Sequence, residues 1–179
     1  MQHSRMDLLS FPRMARLCTS LDQEQNLVET THYTSTYTLP TTTTGTSQSQ
    51  EFTIYNDEYS VMHPSVSKDG TRLYFSSNMP DGLGGFDIYY VNIDRNGRYS
   101  QPVNLGPGVN TEGNEVFPFI YRDDILFFSS NAHPGLGGLD VYMTVGLGSE
   151  TQEVVNLGNP FNTSKDDFSF YIDSKFKFG

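Results

Sequence analysis

Phe75-Ser76-Ser77-Asn78 leads into Gly82-Leu83-Gly84-Gly85-Phe86-Asp87-Ile88-Tyr89, and the phrase returns as Phe128-Ser129-Ser130-Asn131 before Gly135-Leu136-Gly137-Gly138-Leu139-Asp140-Val141-Tyr142. The copies lie 53 residues apart, and ten of the seventeen positions from 75–91 match 128–144 without a gap. A repeat of about 50 residues rich in strand formers indicates an array of small sheets, such as a propeller.

The match extends both ways. His63-Pro64-Ser65-Val66 aligns with Phe117-Pro118-Phe119-Ile120 after a single-residue deletion. Asn104-Leu105-Gly106 aligns with Asn156-Leu157-Gly158, and Asn110-Thr111 with Asn162-Thr163. A third copy opens at Asp166-Asp167-Phe168-Ser169-Phe170-Tyr171-Ile172. The units run over 56–109, 110–161 and 162–179, and the third is expected to be incomplete, since no third Phe-Ser-Ser-Asn follows.

Within a unit the strand signals recur. Val61–Ser67 meets Lys68-Asp69-Gly70-Thr71, a hairpin turn because glycine accepts a positive φ. Arg72–Ser77 returns, 80–85 form a long turn, Asp87–Ile93 makes a third strand ended by Asn96-Gly97, and Tyr99–Leu105 a fourth. The second unit repeats this as Val116–Tyr121, Ile125–Ser130, Asp140–Val145 and Gln152–Leu157. Apolar groups on both faces of Leu73-Tyr74-Phe75 call for neighbours on both sides. The expected class is all-β: a partial β-propeller of two to three four-stranded antiparallel blades over 51–179, behind an irregular N-terminal segment, 1–50.

That segment holds a possible short helix and a Thr/Ser-rich linker, and Phe52–Tyr55 alternates like a strand. Asp7, Pro12, Arg13 and Arg16 interrupt any signal-peptide core, and Leu17-Cys18 lacks the apolar run of a lipoprotein site. Cys18 is the single cysteine, so an internal disulfide is excluded. No apolar run reaches membrane-spanning length. A net charge of −10 argues against nucleic acid as partner, because phosphate binding needs a basic face.

The phrase from Pro64 through Asp69, Gly70, Phe75, Ser76, Ser77 and Asn78, with Gly84, Gly85, Asp87 and Tyr89, resembles the WD40-like Pro-Asp (PD40) β-propeller repeat. Pro118, Phe128, Ser129, Ser130, Asn131, Gly137, Gly138, Asp140 and Tyr142 repeat the motif. TolB-like propellers carry a shorter form. The Gly-Leu-Gly-Gly-x-Asp loop and the Val109-Asn110-Thr111-Glu112 connector are similar to propellers of Bacteroidetes OmpA-family envelope proteins, including the PorE-like component of type IX secretion. The resemblance implies a periplasmic, outer-membrane-associated scaffold that binds other envelope proteins. Peptidoglycan would be bound only by an OmpA-like domain that is not in this sequence. Residues 122–124 depart from the pattern by replacing the Asp-Gly turn with Arg-Asp-Asp.

No cofactor is expected. A phosphate cradle needs a glycine loop running into a helix N-terminus, whereas these loops run into strands. The glycines read instead as a wide turn at positive φ. Asp87 and Asp140 resemble half of a calcium β-roll repeat, but one carboxylate per loop falls short of the six to eight oxygens calcium takes. They are expected to bind backbone N–H groups of their own turns. His3, His32, His63 and His133 lack metal-ligand spacing, and His63 aligns with Phe117 as a packing residue. Ser76-Ser77 and Ser129-Ser130 read as mid-strand residues without a nucleophile elbow, and Asp57-Glu58, Asp123-Asp124 and Asp166-Asp167 as solvated turns. The expectation is a non-enzyme. The alternatives are a propeller attached to a hydrolase (a peptidase or glycan-active enzyme), and a carbohydrate-binding propeller using Tyr89, Tyr90 and Tyr142.

Overall fold

The computed structural model describes residues 58–122 and 125–172. The expected helix, linker and strand before residue 58, Cys18, His3, His32 and the Asp123-Asp124 turn lie outside them. The described residues form two four-stranded antiparallel sheets and no helix. The first is a meander of β1 (Val61–Val66), β2 (Arg72–Ser77), β3 (Asp87–Asn92) and β4 (Val103–Asn104). The second repeats the order with β5 (Glu115–Arg122), β6 (Ile125–Ser130), β7 (Asp140–Val145) and β8 (Glu153–Asn156).

The expected fourth strand of the first unit shrinks from Tyr99–Leu105 to Val103–Asn104, with one isolated bridge between Ile93 and Tyr99. The intervening turn takes up the chain: Asp94 Oδ1 accepts N–H bonds from Asn96 and Arg98 at 2.8 and 2.9 Å. Gly97 sits at φ 77°, as Asn-Gly requires. The β1–β2 hairpin closes similarly. Gly70 has φ 75°, and Asp69 Oδ1 accepts the Ser67 hydroxyl at 2.7 Å and the Thr71 N–H at 2.9 Å.

Each first strand carries a bulge. The pairing shifts register between Met62 and Ser65 and between Val116 and Phe119. His63 and Phe117 occupy it at φ 52° and 53°, a conformation rare for non-glycine residues. Ser169, the same position of the third unit, has φ 61°. There 167–172 is not laddered as a strand, although Ser169 has the backbone conformation of His63 and Phe117.

The core lies between the two sheets. Tyr74 and Ile88 of the first pack with Val109 of the connector and with Ile120, Leu126, Phe128 and Tyr142 of the second, all buried. Each such side chain contributes roughly 1.5–3 kcal/mol by leaving water. Tyr74 meets this core, and Leu73 and Phe75, on the opposite face of β2, are also at most 1% exposed.

Candidate functional site: the junction between repeats

The glycine loops are held from within by their aspartates. Asp87 Oδ2 accepts the Leu83 N–H at 2.5 Å and the Asn104 amide at 2.8 Å. Asp140 Oδ2 accepts the N–H groups of Leu136 and Gly137 at 2.7 and 3.0 Å. Both residues are at most 1% exposed, and the Oδ1 atom of each is buried without a hydrogen-bond partner. No group of three or more His, Cys, Asp or Glu gathers for a metal among the described residues. Pinning leaves Leu83 and Leu136 exposed at the loop tips.

The reason for the glycines differs from the expectation. None of Gly82, Gly84, Gly85, Gly135, Gly137 and Gly138 lies at positive φ. What they lack room for is a Cβ. A Cβ on Gly84 would stand 2.4 Å from Thr111 O and 2.5 Å from Gly113 O. On Gly137 it would stand 2.0 Å from Lys165 O. On Gly85 and Gly138 it would meet Asn114 Oδ1 and Asp166 Oδ1 at 2.4 and 2.2 Å. The backbone of the following connector presses onto each loop, and only glycine admits it.

That connector is a latch. Asn110, buried, accepts the Ile88 N–H at 2.8 Å and donates to Ile88 O at 3.0 Å and Asn104 Oδ1 at 2.8 Å. Asn162 makes the same three bonds to Val141 N, Val141 O and Asn156 Oδ1. An acid five residues on ties the connector to itself. Glu115 accepts the Thr111 N–H and hydroxyl at 2.8 and 2.6 Å, and Asp167 accepts both groups of Thr163 at 2.6 and 3.0 Å. Glu115, fully buried, also takes the Ser130 hydroxyl at 2.6 Å. Asn114 and Asp166 cap the previous loop by accepting the N–H groups of Phe86 and Leu139. Asp166 is exposed and Asp167 half-buried, so this solvent-facing pair also takes part in the junction.

Of the remaining candidates, Ser76-Ser77 and Ser129-Ser130 end their strands instead of lying within them. The Ser76 hydroxyl donates to Glu115 O and that of Ser77 to Ser60 O. Their neighbour Asn78 caps Ser60 N–H, and Asn131 caps Asn114 N–H. His133 Nε2 lies 2.8 Å from Val109 O, across the junction. Tyr89 and Tyr142 are buried, so neither offers a ring face to a sugar, and Tyr90 lies under the Arg72 guanidinium. Burial pushes both buried tyrosine hydroxyls above their ordinary value.

His63 stacks on Phe117 at 3.8 Å between centroids, and its Nδ1 accepts the Phe117 N–H at a long 3.4 Å. Desolvation by burial lowers its pKa from 6.5 to about 4. A neutral folded His that must charge on unfolding stabilises the fold above pH 6.5, and this contribution is lost as pH falls toward 4. His63→Phe, which copies the second unit, is expected to flatten the melting temperature between pH 6.5 and 4. An unchanged acid slope in thermal melts of the variant would count against this role.

Compared with known proteins, the chain matches no protein-family model and no curated protein.

Proposed function

We propose that this chain is part of a β-propeller that acts as a non-catalytic protein-interaction scaffold in a cell-envelope protein of the outer-membrane-associated OmpA family. Its setting is the periplasm, the resemblance points to type IX secretion, and its partners are other envelope proteins. The observation that carries the reading is the repeated junction. Two meanders of identical strand order pack through the same glycine loop and asparagine latch, the nearest-neighbour logic by which blades build a ring. The buried polar groups serve that packing, while the pinned loops turn Leu83 and Leu136 outward at equivalent positions.

The test is affinity capture with the full chain from a Bacteroidetes outer-membrane extract. The expected result is a defined set of envelope proteins, competed by excess chain and reduced by Leu83→Ser with Leu136→Ser. Recovery of no specific envelope protein would sink the proposal.

A further inference from the structure

Asn96-Gly97 is the single Asn-Gly pair in the sequence, and it lies in the turn between β3 and β4. Asn96 is exposed, and its side-chain amide makes no hydrogen bond among the described residues. The asparagines of the latch and caps differ on both counts. Asn110, Asn131 and Asn162 hold their amides in hydrogen bonds, and none of them precedes a glycine. The pairing matters because an asparagine side chain is attacked by the backbone nitrogen that follows it. A glycine there leaves that nitrogen unhindered, since it carries no Cβ.

The turn holds this chemistry back. Asp94 Oδ1 accepts the Asn96 N–H at 2.8 Å, and Asp94 O accepts the Gly97 N–H at 2.9 Å. One residue thus fixes the peptide planes on both sides of Asn96. While both bonds stand, Gly97 N cannot swing toward Asn96 Cγ, and its proton is held by a carbonyl. Arg98 steadies the carboxylate, its N–H and Nε lying 2.9 and 3.0 Å from Asp94 Oδ1 and Oδ2. Asp94, Asn96 and Arg98 are all exposed, so water reaches each bond and the turn can open while the sheets stay closed.

The geometry points to Asn96 as a site of spontaneous deamidation, gated by Asp94. In the opened turn Gly97 N gives its proton to hydroxide and bonds to Asn96 Cγ. The bond from Cγ to the side-chain nitrogen breaks, and that nitrogen takes a proton from water and leaves as ammonia. A five-membered succinimide remains, and one water opens it at either carbonyl. The product at position 96 is an aspartyl or an isoaspartyl residue, and nothing is oxidised or reduced. Either product places a negative charge beside Asp94. The isoaspartyl form also lengthens the backbone by a methylene inside the stretch closed by Asp94 N to Arg98 O and Ser100 N to Asn92 O, both 2.9 Å. The corresponding turn of the second unit, 146–152, contains no asparagine, so the mark falls on the first sheet alone.

The test incubates the full chain in mildly alkaline buffer and maps its peptides by mass spectrometry, with fragmentation that separates isoaspartyl from aspartyl products. A synthetic peptide of residues 90–101 is the ungated reference. Position 96 is expected to convert before any other described asparagine, to a mixture of both products, and faster as pH rises. The folded chain should react about tenfold or more slower than the peptide, and Asp94→Ala about fivefold or more faster than the unsubstituted chain. Protected amides at Ile88 and Val91 in Asp94→Ala show that only the turn has opened. Should that variant unfold, the ratio of chain to peptide decides alone. Earlier conversion of another described asparagine, or an aspartyl product without isoaspartyl, overturns the site. Equal rates in chain and peptide, or an unchanged rate in folded Asp94→Ala, overturn the gate.

Discussion

Asn110→Ala is expected to lower the unfolding free energy by about 2–4 kcal/mol. The side chain satisfies both backbone groups of Ile88, a residue with no exposed surface, and also holds Asn104. Alanine removes three hydrogen bonds and leaves the buried Ile88 N–H unpaired at about 1–3 kcal/mol, while Ile88 O keeps the Leu105 N–H at 3.0 Å. Urea unfolding followed by tyrosine fluorescence gives the number. A loss under about 1 kcal/mol would mean that the latch is not what joins the sheets. Asn162→Ala removes the matching bonds of the next junction, and the two losses should be comparable.

Gly84→Ala is expected to cost about 3 kcal/mol or more, the upper end of overpacking penalties. The added methyl meets Thr111 O, Glu112 C and Gly113 O, all within 2.6 Å and all backbone, so no side chain can swing aside. Gly70→Ala provides the contrast. Nothing lies within 4 Å of its Cβ position, but φ is 75°, so only the left-handed conformation is penalised, by about 1–2 kcal/mol. If the loop glycines served only turn geometry, the ranking would reverse. Gly84→Ala should also lower cooperativity, because it separates the first sheet from its neighbour while each meander keeps its own ladder.

The repeat made the sheets legible. Ser77 to Asp87 and Ser130 to Asp140 span the same loop length, and the Asp-Gly and Asn-Gly turns announced Gly70 and Gly97 correctly. The alignment of His63 with Phe117 anticipated a packing role, and the rings stack on each other. The junction was not legible, for a physical reason. A glycine needed for positive φ and one needed for close approach are the same letter, and only the backbone arriving from 25 or more residues away separates them. Asn110 and Asn162 stood in the sequence as a connector signature, with nothing to announce that they are buried. A recurring Asn followed five residues later by an acid, flanked by apolar residues, was the available signal. The left-handed conformation of Ser169 was hidden too, because nothing about serine announces it.

The spacing of the latch has a consequence for how such a protein can change length. Asn104 to Asn110 and Asn156 to Asn162 are both six residues, and Asn110 to Glu115 and Asn162 to Asp167 both five. The units differ by one residue between Val61 and Ser77 against Glu115 and Ser130, and by one between Asp87 and Asn104 against Asp140 and Asn156. Both differences fall in the segments that include the hairpin turns, outside the latch itself. Every unit carries a receptor at one end and a plug at the other. A whole unit is therefore a cassette that gene duplication can insert or delete in frame without redesigning a contact, while one residue gained inside a latch would disconnect everything downstream of it.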